Sequence, residues 1–371
     1  MNKSILIVLA VFVGPFVCSA RGYGNERHIS VQEALQRGYR PFKAFHNYRG
    51  VRGYALENVQ HNLSWPVQFQ DASQTIAQNY LNFQEYGGGA YFHKGCDLRS
   101  PAGSTVTAPV TGVLEGGYYS YGNNPDGSET KMWIPWNGKA HYDPYFELAL
   151  VTPDGYRFEL HHVDSENLPA STVEALNKGG VTVPAGAQIG KVLPWPDGVY
   201  NHIHYNIFRQ DEVILNPEAY SVQVPDHVAP TIYGVYGIKT DGSVIEAKAG
   251  QSVAGPLTEF VIATTETRDQ SIYVQTPPFV GIKFNSGFTT FWDFREKLLS
   301  SDGQWPDIRN VFLPALLTPS GQRLETFGQY GKGLFLMRLK VAGQSGPFSI
   351  KVGDTAGNFA TFEGTVVRAG F

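Results

Sequence analysis

Two short segments of this sequence carry side chains of the kinds that bind metal ions. His93 and Asp97 are four residues apart in FHKGCD, and His202 and His204 are two apart in NHIH. His93, Asp97 and His204 together offer two imidazoles and one carboxylate, the ligand set of a catalytic zinc that keeps its fourth position open for water. The sequence therefore predicts one Zn²⁺ per chain and hydrolytic chemistry.

The spacing of these residues indicates which elements present them. Side chains two apart on a strand project from the same face, so His202 and His204 are expected to face one cavity. Gly95 lies midway between the other two ligands and predicts a turn that folds both onto one ion. Asp154 is a competing carboxylate, but the sequence Pro-Asp-Gly around it is typical of a hairpin turn.

The chain from Leu63 to about Asp226 has the pattern of short strands separated by glycine and proline turns. Tyr118–Tyr145 is predicted to be a long surface loop, whose aromatic residues either line a substrate groove or pack on the surface. Those residues are Tyr118, Tyr119, Tyr121, Trp133 and Trp136. The predicted strand segments are Thr105–Leu114 with a turn at Pro109 to Gly112, Phe146–Thr152, Tyr156–Val163, Val181–Val192 and His202–Phe208.

After Pro225-Asp226 the pattern changes to separated strands that suit an antiparallel sandwich of immunoglobulin type. Phe291–Leu299 is predicted to be a short inserted helix. Residues 352–358 (VGDTAGN) resemble the D-x-A-G-N turn of bacterial immunoglobulin-like domains. We expect a binding or spacer domain here, with a wall or protein partner. The predicted strands are Thr231–Ile238, Thr258–Thr264, Ile272–Gln275, Leu334–Val341, Phe348–Val352 and Phe359–Val367.

The first twenty residues predict export to the periplasm or the extracellular space. Lys3 is followed by the apolar run Ile5–Val17 and then by small residues at a cleavage site, which is typical of a removable signal. The run is too short to be an anchor, and Val17 disfavours a lipoprotein at Cys18. No later window is apolar enough to cross a membrane, so we expect no stable membrane insertion after cleavage.

Cysteine content and charge exclude other classes of protein. The mature chain keeps one cysteine, Cys96, so disulfides cannot hold it together. We expect its side chain to pack as a small hydrophobe rather than to bind the metal. The net charge is −4, and −5 once Lys3 is removed with the signal, which argues against a nucleic-acid partner.

Residues 21–62 form a predicted N-terminal extension. Ser30 to Glu33 resemble a capping box that begins a short helix through Leu35, and Gly38 ends it. His61-Asn62 lie close in sequence to the segment that begins at Leu63, and either side chain could reach an open zinc position. This extension therefore modulates access to the metal or is trimmed, or it simply packs against the protein.

These residues resemble those of the lysostaphin-type (LytM-like) zinc metallopeptidases over roughly residues 63–210. His93-Lys-Gly-Cys-Asp97 is similar to that family's H-x-G-x-D, and His202-Ile-His204 to its terminal H-x-H. The other blocks, in the same order, are Pro101–Leu114, Gly155–Val163 and Val183–Val192. The resemblance implies an antiparallel β-sheet peptidase domain at 63–225, after a signal at 1–20 and an extension at 21–62 and before a sandwich domain at 226–371.

The resemblance also implies roles for individual residues. His93, Asp97 and His204 would be the zinc ligands, and His162 and His202 the catalytic pair. His161 competes with His162. The family spacing from Gly155 favours His162, and on a strand the two imidazoles are expected to point to opposite faces.

The resulting functional prediction is an exported zinc endopeptidase that hydrolyses peptide cross-links of bacterial peptidoglycan. A catalytically idle wall-binding or hydrolase-activating protein of the same fold is the first alternative, and a zinc peptidase acting on proteins is the second. Complete ligands and histidines favour an enzyme over the first alternative.

Overall fold

The computed structural model describes residues 28–42, 62–69, 75–85, 90–125, 129–210, 213–269, 271–296, 307–326, 333–341 and 343–368. The predicted signal and His61 lie outside these ranges. The described protein is mainly β, as predicted, with four short α-helices. Within these ranges no helix has the length and apolar character needed to cross a membrane.

The N-terminal half is built on one large, mostly antiparallel sheet. Its elements are β1 (His28–Ser30), α1 (Val31–Gln36), β2 (Arg40–Pro41), β3 (Ile76–Gln78), β4 (Phe83–Glu85), β5 (Ala90–Phe92), β6 (Cys96–Arg99), β7 (Thr105–Thr107), β8 (Gly112–Asn123), β9 (Glu129–Pro135), β10 (Phe146–Val151), β11 (Tyr156–His161), a 3₁₀ turn (Ser165–Asn167), α2 (Ala170–Lys178), β12 (Thr182–Val183), β13 (Gln188–Lys191), β14 (His202–Arg209), β15 (Ile214–Leu215) and α3 (Pro217–Tyr220). The strand order is β2-β9-β8-β10-β11-β14-β6-β3, with β1 and β12 on β8 and β15 on β14.

The centre of this sheet brings the predicted site residues together. The hairpin β10–β11 is confirmed, and the hydroxyl of Thr152 donates to the carboxylate of Asp154 within its turn, as the Pro-Asp-Gly sequence predicts. Strand β14 pairs with β11 on one side and β6 on the other. In that register His204 lies opposite Asp97 across one pair and opposite His161 across the other.

The prediction of a surface loop over Tyr118–Tyr145 is wrong for much of its length. β8 and β9 pair there, with Gly117 opposite Pro135 and Tyr119 opposite Trp133. A Cβ on Gly117 would lie 2.6 Å from the Trp133 ring, so this glycine makes room for an aromatic neighbour instead of marking a turn. Tyr119 and Trp133 are buried, which favours packing over a groove lining for these two.

The described part of the N-terminal extension is built into the same sheet. Ser30 caps α1 by accepting from the Glu33 amide, and Gly38 follows with a φ of 83°, so the predicted helix is confirmed. β1 adds to β8 and β2 adds to β9. The Phe42 ring then lies over the ammonium of Lys131, 4.3 Å from the ring centre. A role in access to the site stays a prediction.

The described C-terminal half holds two five-stranded sheets, one short helix and one short pair of strands. Its elements are β16 (Thr231–Lys239), β17 (Val244–Ala247), β18 (Ser252–Ala254), β19 (Leu257–Thr267), β20 (Val274–Gln275), β21 (Phe279–Phe284), β22 (Thr289–Asp293), α4 (Ile308–Val311), β23 (Ala315–Leu317), β24 (Arg323–Glu325), β25 (Phe335–Lys340), β26 (Gly346–Gly353) and β27 (Phe359–Val367). One sheet is β17-β16-β19-β20 with β25 on β19, and the other is β18-β27-β26-β21-β22.

These two sheets pack face to face. The ring centres of Phe260 on β19 and Phe348 on β26 are separated by 4.8 Å. The carboxylate of Asp354 accepts from the amides of Gly357 and Asn358, which closes the predicted turn between β26 and β27. The helix predicted at Phe291–Leu299 is wrong in its described part, because Thr289–Asp293 pairs with β21 as a strand. The immunoglobulin type stays a prediction.

The two halves share one continuous apolar core. Phe92 of the first half lies 6.3 Å from Phe294 and 6.1 Å from Phe312, measured between ring centres. Phe83 lies 5.3 Å from Phe312 in the same way. The predicted boundary at residues 225 and 226 therefore separates two halves that pack apolar side chains against each other. The division into domains stays a prediction.

Candidate metal centre

Three of the predicted site residues bring their donor atoms to one point. The Asp97 Oδ1 atom lies 3.0 Å from His93 Nε2 and 2.9 Å from His204 Nδ1. Two ligands of a tetrahedral zinc with bonds of roughly 2.0–2.1 Å are about 3.3 Å apart, so these separations are close to those of a shared ion. Asp97 and His93 are buried and His204 is partly buried.

The tautomer of His93 supports a cation at this point. Its Nδ1 faces the carbonyl of Asn79 at 3.2 Å and can only donate there. In the neutral ring, Nε2 then carries a lone pair and faces a carboxylate oxygen, which also only accepts. Two acceptors at 3.0 Å are stable with a positive charge between them, so these residues fit a zinc ion with two imidazole nitrogens and one carboxylate oxygen.

The electrostatics favour the protonation states that metal ligands need. Burial lowers the pKa of His204 to about 3, and the neighbouring His93 adds to the effect. Burial alone would raise the pKa of Asp97, but the surrounding imidazoles and their hydrogen bonds hold that pKa well below its usual range. Near neutral pH, His204 is therefore neutral and Asp97 is ionised.

His162 and His202 form a second pair beside the three ligands. Their ring centres are 4.7 Å apart, and His202 Nε2 lies 3.8 Å from Asp97 Oδ1. His162 Nδ1 donates to Pro144 O at 2.6 Å, and His202 Nδ1 donates to Tyr200 O at 2.7 Å. Each ring thus keeps Nε2 available as a proton acceptor. Burial lowers the pKa of both imidazoles, which keeps them neutral near pH 7.

The expectation that His161 and His162 point to opposite faces is wrong. Strand β11 ends at His161, and His162 has a φ of 65°, which breaks the alternation of the strand. Both rings therefore lie near His204, with centres 5.0 Å away for His161 and 6.3 Å away for His162. What distinguishes them is their hydrogen bonds.

His161 belongs to a buried network of charged side chains. Its Nε2 contacts the Glu159 carboxylate at 3.1 Å and the Glu147 carboxylate at 3.4 Å. Lys131 and Arg157 each bridge the same two glutamates. Burial, with Lys131 nearby, lowers the pKa of His161 to about 4. Nε2 of His161 is thus engaged by carboxylates, whereas Nε2 of His162 is not, so the hydrogen bonds favour His162 for proton transfer.

Sequence reasoning missed this network, although its signal was present. Arg157, Glu159 and His161 alternate within YRFELH and so share one face of β11. Three ionisable groups alternating on a strand that is buried along its whole length must find partners within the protein. The partners on other strands, Lys131 and Glu147, come from pairing that the sequence does not specify.

Two further residues beside the site were also missed. The Tyr200 hydroxyl donates to Asp97 Oδ2 at 3.2 Å and so holds the oxygen that does not face the imidazoles. The Trp195 ring lies 4.5 Å from the ring of His162 and 5.0 Å from that of His202, measured between centres. Both come from the segment just before β14, whose irregular sequence carries no motif.

Cys96 is fully buried in the apolar core, as predicted, and burial raises the pKa of its thiol. Among the described residues, the groups of potential metal ligands that include His93, Asp97 or His204 do not include this cysteine. A thiol kept protonated by an apolar environment is a poor metal ligand.

The C-terminal half supports the loop that orients His93. The Asn79 side chain donates to Thr276 O at 2.7 Å, while the Asn79 carbonyl accepts from His93. The Asn82 side chain accepts from both the amide and the hydroxyl of Thr276, at 2.9 and 2.7 Å. Leu81 between them has a φ of 61°, and its amide donates to His93 O at 2.7 Å. Thr276 therefore fixes both ends of the turn that holds this ligand.

Gly95→Ala is expected to weaken zinc binding and folding together. A Cβ at this position would lie 2.6 Å from the Tyr205 carbonyl oxygen and 3.0 Å from His204 Nε2, so the backbone between two ligands must shift. We expect a loss of about 1–3 kcal/mol in the free energy of unfolding and zinc affinity weaker by roughly tenfold or more. Thermal unfolding and competition with a zinc chelator measure the two effects.

Gly103→Ala is the control for this substitution. Gly103 has a φ of 79°, and a Cβ added there would meet no described atom within 4 Å, so this variant reports backbone strain without a clash. Its zinc affinity is expected to equal that of the unmodified protein. If Gly95→Ala bound zinc as tightly as the unmodified protein, this would contradict the close packing of the loop between His93 and Asp97 against β14.

Comparison with known proteins gives a limited picture. No family model and no curated protein match the sequence. A structure of the SpoIIQ-SpoIIIAH pore forming complex is 17% identical over 44% of this chain and 94% of that chain, with a TM-score of 0.28. A zinc containing peptidase from Vibrio cholerae is 15% identical over 45% of this chain and 41% of that chain, with a TM-score of 0.29.

The antimicrobial peptidase lysostaphin from Staphylococcus simulans is 14% identical over 76% of this chain and 99% of that chain, with a TM-score of 0.27. These identities and scores are low. The chemistry assigned to the site therefore rests on the residues of this chain.

Proposed function

We propose that this protein is an exported, zinc-dependent endopeptidase that hydrolyses peptide cross-links of bacterial peptidoglycan. One observation carries the proposal: Asp97 Oδ1 lies 3.0 Å from His93 Nε2 and 2.9 Å from His204 Nδ1, beside two more buried imidazoles. Three ligands and two proton-transfer groups are the parts that a hydrolytic zinc site requires. The peptidoglycan substrate and export follow from the sequence resemblance and the N-terminal signal.

His93, Asp97 and His204 would hold the zinc. The bound ion supplies Lewis-acid polarisation of the scissile carbonyl and lowers the pKa of water near it. Around the ion, the Asn79 carbonyl and the Tyr200 hydroxyl orient His93 and Asp97 through the hydrogen bonds described above. The ligands are therefore held in place before substrate arrives.

His162 and His202 would move the protons. Each donates its Nδ1 proton to a backbone carbonyl, so its Nε2 can take a proton from the attacking water. The imidazolium formed in this way can then donate to the oxyanion or to the leaving amine. Trp195 packs against both rings and limits the water that reaches them.

A digest of purified peptidoglycan sacculi tests the proposal. The mature protein with zinc is expected to convert cross-linked muropeptides into monomers, as measured by chromatography and mass spectrometry, and a chelator should abolish the conversion. The masses of the products name the bond that is cut. If the zinc-loaded protein left the cross-links intact in several types of sacculi, this would instead favour a wall-binding or hydrolase-activating protein.

A further inference from the structure

A second group of buried acidic residues lies away from the histidines, where the two halves of the chain meet. Asp226 follows the first half, Glu266 lies near the end of β19 and Asp354 follows β26. One carboxylate oxygen from each lies within 4.8 Å of the others. The three residues are only 8%, 1% and 2% exposed.

Within the part of the chain that the structure describes, the carboxylate of Glu266 has no hydrogen-bond partner. Both of its oxygens are buried and unpaired there, and so is Oδ2 of Asp226. Asp354 differs, because its oxygens accept from the Gly357 amide and from the amide and side chain of Asn358. An unpaired buried carboxylate costs several kcal/mol unless it gains a proton or a cation, so Glu266 is either protonated or paired with a bound cation.

The nearby Arg268 favours the charged form of Glu266 electrostatically but does not bond to its carboxylate. Arg268 directs its guanidinium to the Glu218 carboxylate and to the Gln275 side chain. Glu218 is thereby neutralised, and it also accepts from the Thr355 hydroxyl at 2.7 Å. Among the described residues, no cationic side chain bonds to the carboxylates of the cluster, and burial raises the pKa of Glu266 to about 9.

We propose that Asp226, Glu266 and Asp354 bind one divalent cation with a preference for oxygen ligands, namely Ca²⁺. Oxygen ligands of one calcium are at most about 5 Å apart, given bonds of roughly 2.3–2.6 Å, and the cluster meets this limit. Its three carboxylates offer oxygen alone, without nitrogen or sulfur, which disfavours zinc. The ion joins three chain segments and so fastens the C-terminal sheets to the rest of the protein.

Calcium titration of the zinc-loaded, full-length protein tests this site. Calorimetry is expected to give one Ca²⁺ per chain, and the melting temperature is expected to rise by about 5 °C at saturating calcium. Glu266→Gln should lose both effects, because it removes the unpaired charge. Its melting temperature without calcium should equal or exceed that of the unmodified protein, which separates loss of binding from loss of folding.

Glu246→Gln is the matched control, since Glu246 is exposed and lies outside the cluster. It should bind calcium like the unmodified protein. Asp226→Asn is a second test variant, which keeps an oxygen for the Val228 amide and should also lose binding. No heat and no stabilisation with up to about 10 mM Ca²⁺ would overturn the proposal. Unchanged binding in Glu266→Gln would overturn it as well.

Discussion

His204→Ala is expected to lose zinc and activity together, whereas His202→Ala keeps its zinc and loses most of its rate. His204 Nδ1 lies 2.9 Å from Asp97 Oδ1 and is one of the three proposed ligands, so its removal is expected to leave too few ligands to hold zinc. His202 Nε2 lies 3.8 Å from the same oxygen, and its proposed role is proton transfer. We expect a fall of about 10²–10⁴ in kcat for His202→Ala.

Zinc per chain, measured by elemental analysis, and kcat on a cross-linked muropeptide separate the two variants. His227→Ala is the control, because His227 is exposed and pairs with Asp269 outside the site. It should match the unmodified protein in both measurements. Near-normal turnover in His202→Ala, or full zinc content in His204→Ala, would show that the roles are assigned wrongly.

His162→Ala is expected to abolish most activity without unfolding the protein, and His161→Ala is expected to do the reverse. His162 Nε2 is available, since Nδ1 is bound to Pro144 O, so this ring can transfer a proton. His161 Nε2 is held by Glu159 and Glu147. We expect kcat to fall by about 10²–10⁴ in His162→Ala, and the free energy of unfolding to fall by about 1–3 kcal/mol in His161→Ala.

The two variants are compared by kcat on the muropeptide and by denaturant unfolding of the zinc-loaded protein. His161→Asn and His162→Asn serve as smaller changes that keep a polar side chain at each position. A large loss of kcat in a folded, zinc-loaded His161→Ala would transfer the catalytic role to His161 and contradict the assignment.

The convergence of His93, Asp97 and His204 was predictable because their positions depend on local rules. His202 and His204 share a face by strand alternation, and the glycine between His93 and Asp97 permits a close turn. The orientation of His162 was not predictable in this way. His162 directly follows the last residue of β11 and has a φ of 65°, whereas a strand pattern alone places its ring on the opposite face from that of His161.

The segment Tyr118–Tyr145 shows a second limit of prediction from sequence. Its glycines suggest a loop when only neighbours in sequence are considered. Gly117 in fact lies on a strand beneath Trp133, and its missing side chain leaves space for that ring. Such pairings depend on which strand lies alongside, and a single sequence does not reveal them. The same holds for the residues that surround Glu266.

The turn held by Thr276 has a consequence for how this protein can be divided or recombined. His93 is oriented by a carbonyl whose own residue is anchored by a residue almost two hundred positions later in the chain. The N-terminal half therefore depends on a residue of the C-terminal half for the position of one of its proposed zinc ligands. Exchanging the C-terminal sheets for those of another protein is therefore expected to change the geometry of the candidate metal centre as well.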